Sequence, residues 1–205
     1  MFRLDHITVL ARTLEEGAAH VKATLGIDMP EGGRHRQMGT HNLLLSLGSD
    51  LFLEVIAIDP EAQAPERPRW FDLDRFDGNP VLKTWVLGTD DIESALTRAH
   101  PESGRATRIT RGDLTWLISI ADTGEMPLEG AYPTFIEWPE GPHPEGRMGD
   151  RGCRLLELAI AHPEAEELAH LLDGGFKDDR VVFKTAPDMR LSATIETPDG
   201  VRVLV

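Results

Sequence analysis

The feature that most constrains this chain is a strand-to-helix phrase that recurs at a fixed offset. LDHITVLARTLEE, from Leu4, lies over LKTWVLGTDDIES, from Leu82, without a gap: Leu4 meets Leu82, Leu14 meets Ile92 and Glu15 meets Glu93. Each phrase alternates like a β-strand and then takes on helical spacing. LLELAIAHPEAEE, from Leu155, gives a third copy, with Leu158 under Ile7, Ile160 under Val9 and Glu166 under Glu15. Three openings of one kind imply an internal repeat.

Further strand-like runs follow each opening. After the first come HNLLLSL from His41 and LFLEVIAI from Leu51, turned at Ser49-Asp50, with a weaker strand before Gly32-Gly33. After the second come ATRIT from Ala106, LTWLISI from Leu114 and YPTFIEW from Tyr132. After the third come RVVFKT, RLSATIE and VRVLV, the last two joined at Pro198-Asp199-Gly200. The expected unit is therefore βαβββ, at residues 1–60, 80–140 and 151–205, in the α+β class. Helices are expected near 13–25, 90–100 and 163–173, opened by Thr13, by Asp90 or Asp91, and by His162-Pro163.

Two of these strands carry a glutamate inside an apolar run: Glu54 in FLEVIAI and Glu137 in TFIEW. An unpaired carboxylate there costs several kcal/mol unless a metal, a cation or a shared proton compensates it. In LDHITVL, alternation sets Asp5, Ile7 and Val9 on one face and His6, Thr8 and Leu10 on the other. A strand histidine and a strand glutamate on a concave sheet face are ligand types for Zn²⁺, Fe²⁺, Mn²⁺ or Ni²⁺. Each is also an ordinary core residue when hydrogen-bonded, and both readings stand at this point.

The chain carries a net charge of −14, which argues against a phosphate-backbone partner and so against nucleic acid. No apolar run approaches the roughly 20 residues that span a bilayer, so no membrane helix or signal peptide is expected and the cytoplasm is the expected compartment. With 40% hydrophobic residues the chain can bury a proper core. The lone Cys153 is expected to pack as a small apolar side chain. RHRQMGTHN, from Arg34, crowds Arg34, His35, His41 and Asn42 beside glycines, either to hold an anionic ligand group or as a plain polar loop. Trp70, with Arg69 beside it, sits in a proline-rich connection, either a lid or a linker. Trp85, Trp116 and Trp138 lie on second-unit strands, with Trp116 a candidate cavity wall and Trp85 expected to pack in the core.

The βαβββ repeat, LDHITVL, FLEVIAIDP and TPDGVRVLV resemble the vicinal oxygen chelate superfamily. GGRHRQMGTHNLLLSLG, FLEVIAIDP and TFIEWPEGPHP resemble, more narrowly, its glyoxalase-like domain family. The resemblance implies a cup of curved sheet built by two units, with a metal held by a first-strand residue and a fourth-strand glutamate of each. His6, Glu54 and Glu137 fill three of those places, His41 is a candidate fourth ligand, and Thr84 falls where the remaining ligand would stand. In the third unit the places fall on Glu157 and Leu204, which implies a structural role, with a homodimer left open.

The resemblance implies two kinds of function. One is an enzyme with a divalent transition metal, a lyase, isomerase or dioxygenase on a small oxygen-bearing substrate, in which Glu137 is a ligand or the general base. The other is a metal-free small-molecule binding protein. In both, the pocket is expected to draw on Arg34, His35, Asn42, Arg69, Trp70 and Trp116. Thr84 offers neither charge nor a useful pKa, so glyoxalase I activity itself is not expected.

Overall fold

The computed structural model describes residues 1–48, 50–139 and 143–205. Ser49 of the expected Ser49-Asp50 turn lies outside the described residues, as do Glu140, Gly141 and Pro142 of the TFIEWPEGPHP run.

The first unit comprises β1 (Arg3–Leu10), α1 (Leu14–Leu25), β2 (Glu31–His35), β3 (Thr40–Ser46) and β4 (Phe52–Ile58). The second comprises β5 (Val81–Gly88), α2 (Ile92–Leu96), β6 (Arg105–Arg111), β7 (Leu114–Ile120) and β8 (Thr134–Glu137). Together they form one eight-stranded sheet in the order β2-β3-β4-β1-β5-β8-β7-β6. Each unit places its first strand parallel to its fourth, and β1 runs antiparallel to β5 at the centre. Gln37 ties the two outer ends together: its Nε2 donates to the Arg108 carbonyl at 3.3 Å and its Oε1 accepts from Thr110 N–H at 2.8 Å. The sheet is thereby curved into a cup, an α+β fold.

Two of the three expected helix openings hold, whereas the helix at Ala165–Leu172 starts beyond His162-Pro163, at Glu164, without a side-chain cap. Thr13 accepts from Glu16 N–H to start α1, Asp91 accepts from Ser94 N–H to start α2, and Gly26 ends α1 at φ 77°. α1 lies hard against β4, because Gly17 leaves room: a Cβ there would meet Val55 Cγ1 at 2.3 Å. No helix among the described residues is long and apolar enough to cross a membrane.

The segment from residue 151 keeps the order of the repeat but not its pairing. β9 (Arg154–His162), α3 (Ala165–Leu172), β10 (Val181–Thr185), β11 (Arg190–Thr197) and β12 (Gly200–Leu204) form a separate sheet in the order β10-β9-β11-β12. Here the first strand pairs with the second and third, and the fourth lies at an edge, so this is not a third copy of the same unit. Its apolar face, with Leu158, Ile160, Leu191 and Ile195, shares a core with Ile7, Val55, Trp85 and Leu87. Each of these fully buried side chains contributes roughly 1.5–3 kcal/mol through water exclusion. Glu157 instead reaches Lys184 at 3.0 Å on the surface, and Leu204 is buried. The cup thus belongs to units one and two, with helices and the second sheet covering its outer side.

Candidate functional site

The opposite face of the large sheet carries a narrow, open cavity of about 30 Å³ lined by His6, His35, Asn42, Phe52, Glu54, Trp70, Arg111, Trp116 and Trp138, among others. β1 and β4 bring His6 and Glu54 to this face together, with His6 Nε2 3.8 Å from Glu54 Oε2. Phe52, opposite His6 on β4, stacks on the imidazole at 4.5 Å.

Asp5 corrects the expected alternation. On β1 it is the extra residue of a bulge, between the pairs Leu4 with Leu87 and His6 with Val86. The bulge turns its carboxylate to the cavity side, where Oδ1 lies 2.6 Å from His6 Nδ1. Oδ2 accepts from Trp138 Nε1–H at 3.0 Å and from His143 at 3.1 Å. His143 Nδ1 accepts from Glu145 N–H, so it is Nε2–H that donates to Asp5. Burial works to raise the Asp5 pKa, but the hydrogen bonds and charges of His143 and His6 hold it down at about 2. An ionised Asp5 can only accept, which places the His6 proton on Nδ1 and leaves Nε2 a lone pair facing the cavity.

Glu54 is held by acceptor bonds from both sides: Asn42 Nδ2 donates at 2.6 Å and Thr8 Oγ1 at 3.3 Å. Asn42 Oδ1 in turn accepts from Arg111 at 3.1 Å and from Gly33 N–H at 2.8 Å. His35 stands beside them with Nε2 toward Asn42 and Arg111 and Nδ1 toward Thr40 Oγ1. Burial, and then the Arg111 charge, push the His35 pKa down to about 3, so the ring is neutral. Trp116 and Trp138 meet at 5.3 Å and Trp70 is set edge-on to His35, giving an aromatic wall. The loop that presents Trp70 is strained, with Phe71 at φ 58°.

Several expected residues lie elsewhere. Glu137 shares the helix-side face of β8 with Phe135, and its carboxylate accepts from Ile92 N–H at 2.8 Å, capping α2. It was matched to Glu54 by its apolar flanks, but the strand registers differ. Thr8 pairs with Glu54 on one side and Val86 with Thr134 on the other, so Thr134 stands where Glu54 does. His41 points away from the cavity for the same reason of parity, since Asn42 and Leu44 take the inner face of β3. Arg34 pairs with Asp59 and Glu61 outside, and Arg69 with Asp74. Of the six expected pocket residues, His35, Asn42, Trp70 and Trp116 line the cavity. Asp5, Phe52, Arg111 and His143 were missed. Alternation from buried Ile109 was the signal available for Arg111.

Glu137→Ala is accordingly expected to lower stability by about 1 kcal/mol through loss of the cap, and to leave ligand binding in the cavity unchanged. Chemical denaturation and a ligand titration check this; a loss of binding would return Glu137 to the site.

The donor set does not make a metal centre of the family's four-ligand kind. β5 carries a bulge at Lys83 just before Thr84, matching the one at Asp5 before His6, so Thr84 does hold the place equivalent to His6. With Thr84 and Thr134 in the second unit, His6 and Glu54 are the pair that remains. No group of three or more His, Cys, Asp or Glu side chains placed to hold a metal occurs among the described residues, and catalytic metal sites use about three protein ligands.

Residues 4–175 match the family model described as "Glyoxalase-like domain". Nothing among curated proteins matches the chain. A hypothetical protein from Staphylococcus aureus has the same fold, with a TM-score of 0.63 at 13% identity over 96% of this chain and 91% of that one. A Streptomyces coelicolor methylmalonyl-CoA epimerase variant in complex with 2-nitronate-propionyl-CoA aligns at a TM-score of 0.45 and 17% identity, over 68% of this chain and 98% of that one. Methylmalonyl-CoA epimerase from Mycobacterium tuberculosis aligns at 0.45 and 16%, over 68% and 88%.

Proposed function

Because the chain belongs to the glyoxalase-like domain family, we propose that its cavity takes a small, flat, oxygen-bearing molecule and moves a proton on it, as an isomerase or lyase. His6 is the base, and no metal takes part. The observation that carries this reading is the Asp5 carboxylate 2.6 Å behind His6 Nδ1, which leaves Nε2 open to the cavity. A protein that only binds its ligand has use for aromatic walls, but none for an ionised aspartate clamped by three donors behind a histidine.

In the proposed reaction His6 Nε2 removes a proton from the carbon next to a carbonyl. The imidazolium that forms lies between two carboxylates, Asp5 and Glu54, which stabilise it. The charge left on the substrate oxygen needs donors. Trp70, a residue of the cavity lining whose buried Nε1–H has no partner among the described residues, is the donor we assign to it. The same imidazolium then returns its proton to the oxygen or to carbon, giving an isomerisation, or, where the enolate collapses to a C=C bond by expelling a group on the next carbon, gives the proton to that departing group, completing an elimination. A positioned base of this kind supplies about 10²- to 10⁴-fold.

The test is deuterium exchange at the methylene next to the ketone in a series of aryl ketones and aryl keto acids, followed by NMR in D₂O. The native protein is expected to catalyse exchange, to keep doing so after chelator treatment, and to lose about 100-fold or more in the His6→Gln variant. Exchange no faster than buffer across the series, or exchange abolished by the chelator, would overturn the reading.

A further inference from the structure

We infer that Arg111 is a carboxylate-binding residue, and that the substrate is an anion whose acidic end sits at the mouth of the cavity. The inference rests on the proposed reading of the cavity for where the carbonyl end lies, but its own observations are separate.

Most arginines engaged in this protein are matched to carboxylates: Arg34, Arg69, Arg75, Arg147, Arg154 and Arg180 each have one within 4.0 Å. Arg111 has none within that distance among the described residues. Its polar partners are neutral acceptors, Asn42 Oδ1 at 3.1 Å and His35 Nε2 at 3.4 Å, both reached from Nη1. The rest of its fork of donors remains available. Glu54 is the anion whose charge acts on it, yet the Asn42 amide stands between them, donating to Glu54 and accepting from Arg111. Asn42 thus keeps the two from collapsing into an ion pair.

The position is that of a gate post. Arg111 lines the inner cavity and also an outer groove of about 360 Å³ that runs along Glu31, Gly33, Asp113 and Arg147; Leu44 and Pro144 are the other residues common to both. The side chain is fixed in place. Gly33 gives it a bare backbone to lie on, since a Cβ there would meet Arg111 Cδ at 2.7 Å, and its guanidinium carbon is 6.0 Å from the Trp116 ring. His35 beside it is neutral, so a second cation does not compete for an anion. A planar, half-buried guanidinium with open donors fits a carboxylate in a two-pronged contact. The ligand class is therefore a keto acid with a flat body against the tryptophans, its carboxylate on Arg111.

The test compares two probes that differ only at the charged end: 3-benzoylpropionate, and butyrophenone, in which a methyl replaces the carboxylate. Binding to the full chain is read by tryptophan fluorescence. The native protein is expected to favour the acid by about 10- to 100-fold, Arg111→Met to bring the acid down to the level of the ketone while leaving the ketone within about twofold, and Arg111→Lys to keep part of the preference. No preference in the native protein, or an equal weakening of both probes in both variants, would overturn the inference. Discrimination lost in Arg111→Met, but with no deuterium exchange by the native protein, keeps the carboxylate subsite and sinks the proton-transfer reading instead. Exchange on both probes without discrimination does the reverse.

Discussion

Asp5→Asn is expected to slow deuterium exchange by about 10²- to 10⁴-fold while leaving probe binding within about twofold. The size follows from the orientation that an asparagine would be forced to adopt. Trp138 Nε1–H and His143 Nε2–H both donate toward the Oδ2 side of residue 5, so an amide there must keep its oxygen toward them. Its NH₂ then faces His6 Nδ1, which must accept. The imidazole proton is driven to Nε2, and the base loses the lone pair that reaches the cavity. The side chain keeps its shape throughout, so packing and ligand contacts survive. Ring ¹⁵N shifts of His6 report the tautomer directly. A variant with the Nε2–H tautomer and an unchanged exchange rate would show that His6 is not the base.

The strands and helices of the first two units were legible in the sequence because they rest on local signals, period-two apolar runs and helix caps, that the fold does not override, whereas the cup was implied by the family resemblance. Thr84 could be placed because the offset between β1 and β5 holds without a gap, bulges included. Other features depend on register between distant strands. A bulge moves Asp5 to the cavity face, and nothing in LDHITVL marks which residue is the extra one. Glu137 has the apolar neighbours of Glu54, but lies three residues past the equivalent Thr134 and on the other face, an odd offset that inverts every side chain. Arg111 and His143 are contributed by an outer strand and a late loop, so only tertiary pairing brings them to β1. The third segment misled differently: its opening repeats the first in pattern, while pairing is decided by which strands its apolar face must cover.

His35 is expected to dominate the acid instability of the protein. In the unfolded chain a histidine takes a proton near pH 6.5, whereas in the fold burial and the Arg111 charge delay it to about 3. Between those values the unfolded state binds the proton and the folded state does not, so stability falls as pH falls, by about 1.4 kcal/mol per unit. From pH 6.5 to 4.5 the loss is about 2 to 3 kcal/mol, a large share of a typical folding free energy. Asp5 acts in the same direction but lower, its contribution being lost as pH drops from about 3.8 toward 2, outside this window. His41 lies within the window, and its pKa is also lowered chiefly by burial, so the decisive comparison is the variant and not the raw slope. Urea denaturation of His35→Gln should show most of the slope between pH 6.5 and 4.5 removed, whatever the variant's stability at pH 7. Arg111→Met should flatten it in part, since the guanidinium charge is one cause of the depressed pKa. A slope that survives both substitutions would mean that His35 is protonated in the folded state, and that the neutral ring beside Arg111, on which an open anion site depends, does not exist.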